Sequence, residues 1–293
     1  MKALLLTLLL AATTAPAQSP AGGVDETPRT GLREYDLGKA GLALDGYDPV
    51  AYFAIGGGKP AKGSKEREVA FRGVRYRFAT VKNRELFLAA PERYEPAYGG
   101  WCAYAMASND KTEANPESFL IENGRLLVFY DGFWGDTRKS WLKETGSKLR
   151  PKADSRWKGF SKETAPPDVS AYLLEEGVAF TGMDPLSVRS GTPAGGELTH
   201  ALVHAGVTYA CKDEESRQAM LEDPTPHTAQ YGGWCAASLA EGKRVAPDLA
   251  VSIPEEAGIL LFSSAKLRDT WQEDAAQWRA KADAAWRTAE KPR

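Results

Sequence analysis

The sequence predicts an α+β protein made of two similar small domains, each an antiparallel sheet covered by helices, and three observations carry this. Tyr98-Gly99-Gly100-Trp101-Cys102-Ala103 returns as Tyr231-Gly232-Gly233-Trp234-Cys235-Ala236, a spacing of 235 − 102 = 133 residues. Alternating apolar residues flank Arg72-Gly73 and Asn123-Gly124, the signature of two hairpins within the first copy. Residues of helical spacing, Val81, Leu86, Phe87 and Leu88, then Trp141 and Leu142, supply helices to cover them.

In chain order, Met1 to Ala17 joins one Lys, an apolar run from Ala3 to Ala12 and Ala15-Pro16-Ala17, the order of a cleavable secretory signal. The mature chain is therefore expected in the periplasm or outside the cell. Residues 18–35 begin rich in Pro, Gly, Ser and Thr and are expected to be disordered. The first domain is expected over 36–160, a linker around Pro166-Pro167 over 161–171, and the second domain over 172–288. Asp48-Pro49 and Asp184-Pro185 read as helix caps, with proline at the first helical position. Cys102 to Met106 alternates large with small and reads as a strand, with a helix start after the glycine pair as the alternative.

Composition removes several functions. With 37 basic against 39 acidic residues, the chain as a whole has no positive excess for a phosphate backbone or an anionic bilayer, and nucleic acid is not an expected partner. No run of about 20 apolar residues follows the signal, so no membrane span is expected after cleavage. Three cysteines leave at least one thiol unpaired, which argues against a disulfide framework. All three histidines lie in the second copy, so a Cys-His nucleophile pair is excluded from the first. No Cys-x-x-Cys and no paired-carboxylate signature is present, and an enzyme is not the leading reading.

Gly46-Tyr47-Asp48-Pro49-Val50-Ala51-Tyr52-Phe53, the Phe71 to Phe78 block, Pro91-Glu92-Arg93-Tyr94 and Tyr98 to Ala103 together resemble the YHS domain family over about Leu42 to Trp157. The second copy resembles it more weakly over about Val178 to Trp286, without counterparts of Tyr47, Tyr52 and Phe53. The resemblance implies a small metal-associated α+β module. Short relatives in the family carry Cys just after the Asp-Pro and beside the Tyr-x-Phe, where this chain has Ala51 and Ala79.

Laying the second copy on the first at the offset of 133 turns Arg67, Phe71, Phe78, Phe87 and Tyr94 into His200, His204, Cys211, Met220 and His227. Ligand-type side chains replace mostly aromatic ones. Counting back from an Ala205-Gly206 turn puts His204 opposite Val207 and His200 opposite Cys211, while His227 stands eight residues before Cys235 as Tyr94 stands before Cys102. Imidazole, thiolate and thioether suit copper or zinc. The expectation is a non-enzymatic metal site in the second domain formed by His200, Cys211, His227 and Cys235, with His204 and Met220 close by. The competing expectation is a metal-free module that binds a protein or small ligand through the aromatic surface of the Gly-Gly-Trp-Cys turns.

Overall fold

The computed structural model describes residues 25, 27–38, 40–144, 146–163 and 166–289. The signal-peptide reading of Met1 to Ala17 lies outside them. Helices and antiparallel hairpins are mixed, as an α+β class requires. In the first half β1 (Ser64–Phe71) and β2 (Val74–Phe78) are followed by α1 (Val81–Ala89), α2 (Pro91–Tyr94) and α3 (Ala103–Ala107). Then come β3 (Asn115–Glu122), β4 (Arg125–Phe129), a short hairpin β5 (Asp131–Gly132) and β6 (Gly135–Asp136), α4 (Thr137–Lys143) and α5 (Gly146–Ser161).

The second half runs α6 (Pro185–Arg189), β7 (Glu197–His204), β8 (Val207–Cys211), α7 (Glu214–Glu222), α8 (Ala236–Ala240), β9 (Asp248–Glu255), β10 (Gly258–Phe262), α9 (Ala265–Glu273) and α10 (Ala275–Ala289). Where the two differ is informative. Between Phe129 and α4 stand the seven residues 130–136, and between Phe262 and α9 only Ser263 and Ser264. The β5–β6 hairpin therefore belongs to the first half alone.

Both turn signals hold: Phe71 pairs with Val74 across Arg72-Gly73, and Glu122 with Arg125 across Asn123-Gly124. The strands form separate two-stranded ladders among the described residues, and isolated bridges such as Leu42 to Arg75 and Val178 to Thr208 join them to neighbouring turns. Each of the four long hairpins breaks register near its open end; in β7–β8 the break lies between Glu197 and Leu202. Such a break inserts unpaired residues and twists the strand.

Cys102 to Met106 is helical instead of extended. Cys102 occupies the N-cap of α3, and its Sγ accepts from the Ala105 N–H at 3.5 Å, the place a Ser or Thr oxygen usually fills. The expected disorder also fails from residue 27 onward. Arg29 is buried and salt-bridged to Glu95 at 2.8 Å, while Tyr35 packs edge-on against Trp157 at 5.1 Å. Within the expected linker, Asp168 pairs with Arg150 at 3.4 Å and Val169 joins a core cluster of the second half, so these two residues are packed too.

Each half holds two hydrophobic clusters. One lies between the first hairpin and its helix, the other between the second hairpin and the terminal helices. In the first half Phe87 is the hub, with Tyr76 at 4.8 Å and Phe78 at 5.1 Å. The same place in the second half holds Cys211 and Met220, both fully buried. The sulfur side chains thus fill core positions that the first half fills with rings.

Candidate functional site

The six residues predicted to hold a metal do not converge. His204 faces Val207 as expected, but the register break sets Glu197, not His200, opposite Cys211. Counting back from the turn assumed an unbroken ladder, and extra residues in β7 intervene. Cys211 and Met220 pack together with Val188, Leu202 and Ile259, whereas Cys235 sits in the other cluster beside Leu260 and Trp271. Among the described residues no three of His, Cys, Asp and Glu stand close enough together to hold an ion.

The chemistry of the two sulfurs differs as well. Burial, with Asp184 adding to it, pushes the Cys211 thiol up to about 12, which keeps it protonated. For Cys235, burial pushes upward, but donors from Ser238 and Ser263 outweigh it and leave the thiol below its ordinary value. Its Sγ accepts from the Ser238 hydroxyl at 3.2 Å and the Ser263 N–H at 3.3 Å, tying α8 to the end of β10. Burial and the nearby Arg189 hold the His227 imidazole below its usual pKa. All three cysteines are free and fully buried. Thiol titration without reductant is expected to find three thiols in denaturant and none reacting promptly in the native protein; fewer than three in denaturant would contradict the free-thiol arrangement.

The Gly-Gly turns are packed from within by rings, while Trp101 and Trp234 themselves stay half-buried. Tyr98 and Gly99, like Tyr231 and Gly232, take left-handed backbone angles, and the ring of Trp157 or Trp286 fills the space beside each glycine. The indole N–H of Trp101 donates to the Glu34 carbonyl at 2.6 Å, and that of Trp234 to Ala171 at 2.8 Å. A segment preceding each half is thereby clamped onto the turn, since Asp36 N–H also donates to Gly99 O and Leu173 N–H to Gly232 O. The repeated motif is a structural latch.

Concavity lies elsewhere, where the halves meet. The turn Glu175–Val178 enters the first half: Glu176 carboxylate oxygens accept from the Ala54 N–H at 3.2 and 3.3 Å, and Gly177 presses on Gly124. On one side of this contact is a cleft of about 630 Å³ lined by Ile55, Lys82, Leu86, Glu176 and Leu198; on the other is one of about 480 Å³ lined by Tyr35, Glu92, Arg125, Pro167 and Thr208. Arg93 lines both.

Arg93 leaves the short helix α2 with only 5% of its surface exposed. One terminal nitrogen donates to Glu176 O at 2.9 Å and to the Thr208 hydroxyl at 3.2 Å, and the guanidinium lies over Phe53 at 5.1 Å. Its Nε has no partner, and among the described residues it forms no ion pair. Neighbouring Arg29 and Arg125, by contrast, are neutralised by Glu95 and Asp154. In the sequence Arg93 appears only within the Pro91-Glu92-Arg93-Tyr94 block; the available signal is that the offset of 133 replaces it by Pro226, so the second half has no such arginine.

No family model matches the chain, and neither a curated protein nor a solved structure was found to be similar to it.

Proposed function

We propose that this protein is a non-enzymatic binding module whose inter-half cleft takes a small ligand bearing a carboxylate or phosphate, held by Arg93. The observation that carries this reading is the unneutralised guanidinium, buried to 5% exposure at the wall of both clefts. A guanidinium stays charged at every physiological pH, so it cannot escape the cost of burial by losing its proton. Burying a charge without a counterion costs several kcal/mol, roughly, and an anion that pairs with it recovers part of that cost. Clefts between packed units, lined by apolar residues with a few placed charges, are the common setting for small ligands, and the larger one sets Ile55, Leu86 and Leu198 beside Arg93 and Lys82 and the carboxylates of Glu175, Glu176 and Glu197.

Thermal-shift measurements with inorganic phosphate and with acetate, succinate and citrate test the reading. At least one of these anions is expected to raise the melting temperature of the natural protein, and Arg93→Met is expected to abolish that rise. A flat response to the whole series, or a rise that survives Arg93→Met, overturns it.

A second reading keeps the metal, on the observation that Nδ1 of both His200 and His227 is buried without a hydrogen-bond partner. Copper and zinc belong in the same series. A calorimetric titration with either metal that is lost in His227→Ala and unchanged in Arg93→Met would favour it, and with it the resemblance to a metal-associated family.

A further inference from the structure

The β5–β6 hairpin ends in Phe133 and Trp134, the two most exposed large apolar side chains among the described residues, at 90% and 85%. They pack edge to face on each other, with ring centroids 5.0 Å apart, and are held out from the body by a two-residue turn. Below the turn the hairpin is firmly rooted. Thr137 N–H donates to Tyr130 O at 2.9 Å, and Asp136 accepts from the Ser118 hydroxyl and from the Arg138 N–H, both at 2.9 Å. The tip thus exposes two large rings on a short, anchored support.

The helices that follow carry an excess of positive charge. From 137 to 161, α4 and α5 contain eight basic residues and two acidic, 8 − 2 = +6. The matching helices of the second half, 265–289, contain five basic and four acidic, 5 − 4 = +1, and no counterpart of β5–β6 precedes them. A near-neutral total of −2 conceals this concentration. Lys148, Lys152 and Arg156 are all exposed and lie four residues apart, which sets them in one stripe along α5. On α4, Lys139 and Lys143 are exposed with the same spacing, and Leu142 beside them is 59% exposed.

Aromatic residues that prefer the boundary between water and acyl chains, joined to a basic helix, make the two-part signal by which a folded protein lies on an anionic bilayer without spanning it. Phe and Trp supply the shallow apolar insertion, and the lysines and arginine attract the headgroups. No helix of the described residues is long and apolar enough to cross a membrane, so contact of this kind is at the surface. We infer that the Phe133-Trp134 tip and the basic face of α5 dock the protein onto an anionic lipid surface.

Co-sedimentation of the full chain with vesicles tests this, using phosphatidylcholine alone and an equal mixture of phosphatidylcholine with phosphatidylglycerol. The natural protein is expected to bind the mixed vesicles and to remain in solution with phosphatidylcholine alone. Phe133→Ser with Trp134→Ser is expected to abolish binding. Replacing Lys148, Lys152 and Arg156 by Gln is expected to lower affinity on the order of a hundredfold, at about fivefold for each charge near the surface. All five positions are exposed, and unchanged circular dichroism melting of both variants shows that folding is not the cause of the loss. The inference is overturned if the natural protein binds neither vesicle or binds both equally, or if the aromatic variant binds like the natural protein. It is also overturned if vesicles are ignored while sedimentation velocity shows self-association that the aromatic variant removes, since the tip then serves a second copy of the chain.

Discussion

Gly99→Ala is expected to lower the unfolding free energy by about 2 to 5 kcal/mol, the sum of a left-handed backbone strain and an overpacked contact. Gly99 has φ of +62°, and a β-carbon there would stand 2.5 Å from Cη2 of Trp157 and 3.0 Å from Cδ1 of Tyr35. The indole has little room to retreat, because Trp157 is buried in the cluster with Tyr98 and Leu149. Gly232→Ala meets the same obstruction, with Cη2 of Trp286 at 2.4 Å and φ of +60°. Urea unfolding of the two variants measures the loss. The Trp157→Leu background separates the causes, because with the closest ring removed the glycine change should cost less, toward the backbone part of about 1 to 2 kcal/mol with the Tyr35 contact remaining. Equal costs in both backgrounds would show that the ring is not the obstruction.

Asp48→Ala is the other change expected to cost about 3 to 5 kcal/mol, on the scale of breaking a buried charged network by removing one partner. The residue is fully buried. Oδ1 accepts from the Val50 N–H at 2.8 Å and the Ala51 N–H at 3.3 Å; Oδ2 accepts from the Ala79 N–H at 2.8 Å and the Asn83 amide at 2.7 Å. Alanine leaves four donors facing a void. Asp184 is the natural control: it accepts from Ser187 N–H at 2.8 Å and Lys212 N–H at 3.0 Å, so fewer donors are stranded, and Asp184→Ala is expected to cost about 2 to 3 kcal/mol. Denaturant midpoints of the two variants decide it; a smaller loss at Asp48 than at Asp184 would contradict the donor count.

These two cases also show what was legible in advance. Asp48 and Asp184 were read as caps from the Asp-Pro pairs, and Asp184 does cap α6, but the reach of Asp48 to Ala79 and Asn83 is a tertiary contact with no local signal. The Gly-Gly turns stand out because they repeat, yet their partners Trp157 and Trp286 lie far along the chain, so the packing of the turns against these rings has no local signal. Hairpin turns were legible because Arg72-Gly73, Asn123-Gly124 and Ala205-Gly206 act locally. The register break in β7 was not, because a bulge leaves the alternation near the turn intact and alters only residues farther back. The break separates His200 from Cys211, which an unbroken ladder would place opposite each other. Cys102 to Met106 reads as a strand because large and small residues alternate, and a thiol, an uncommon N-cap, gives no local signal for the helix that forms. The aromatic tip had a signal that was passed over: the offset of 133 at the cysteines shrinks to 286 − 157 = 129 at Trp157 and Trp286, which locates inserted residues in the first half.

The meeting of Gly124 with Gly177 brings two backbones together with no side chain between them, close enough that a β-carbon on Gly124 would lie 2.6 Å from Gly177 Cα. With Arg93 and Glu176 beside it, this contact separates the two clefts, which open toward opposite ends of β7: Glu197 and Leu198 line one, and Val203 lines the other. Because Arg93 lines both recesses, an occupant of either one meets the same guanidinium, and filling one draws on the charge that the other would use.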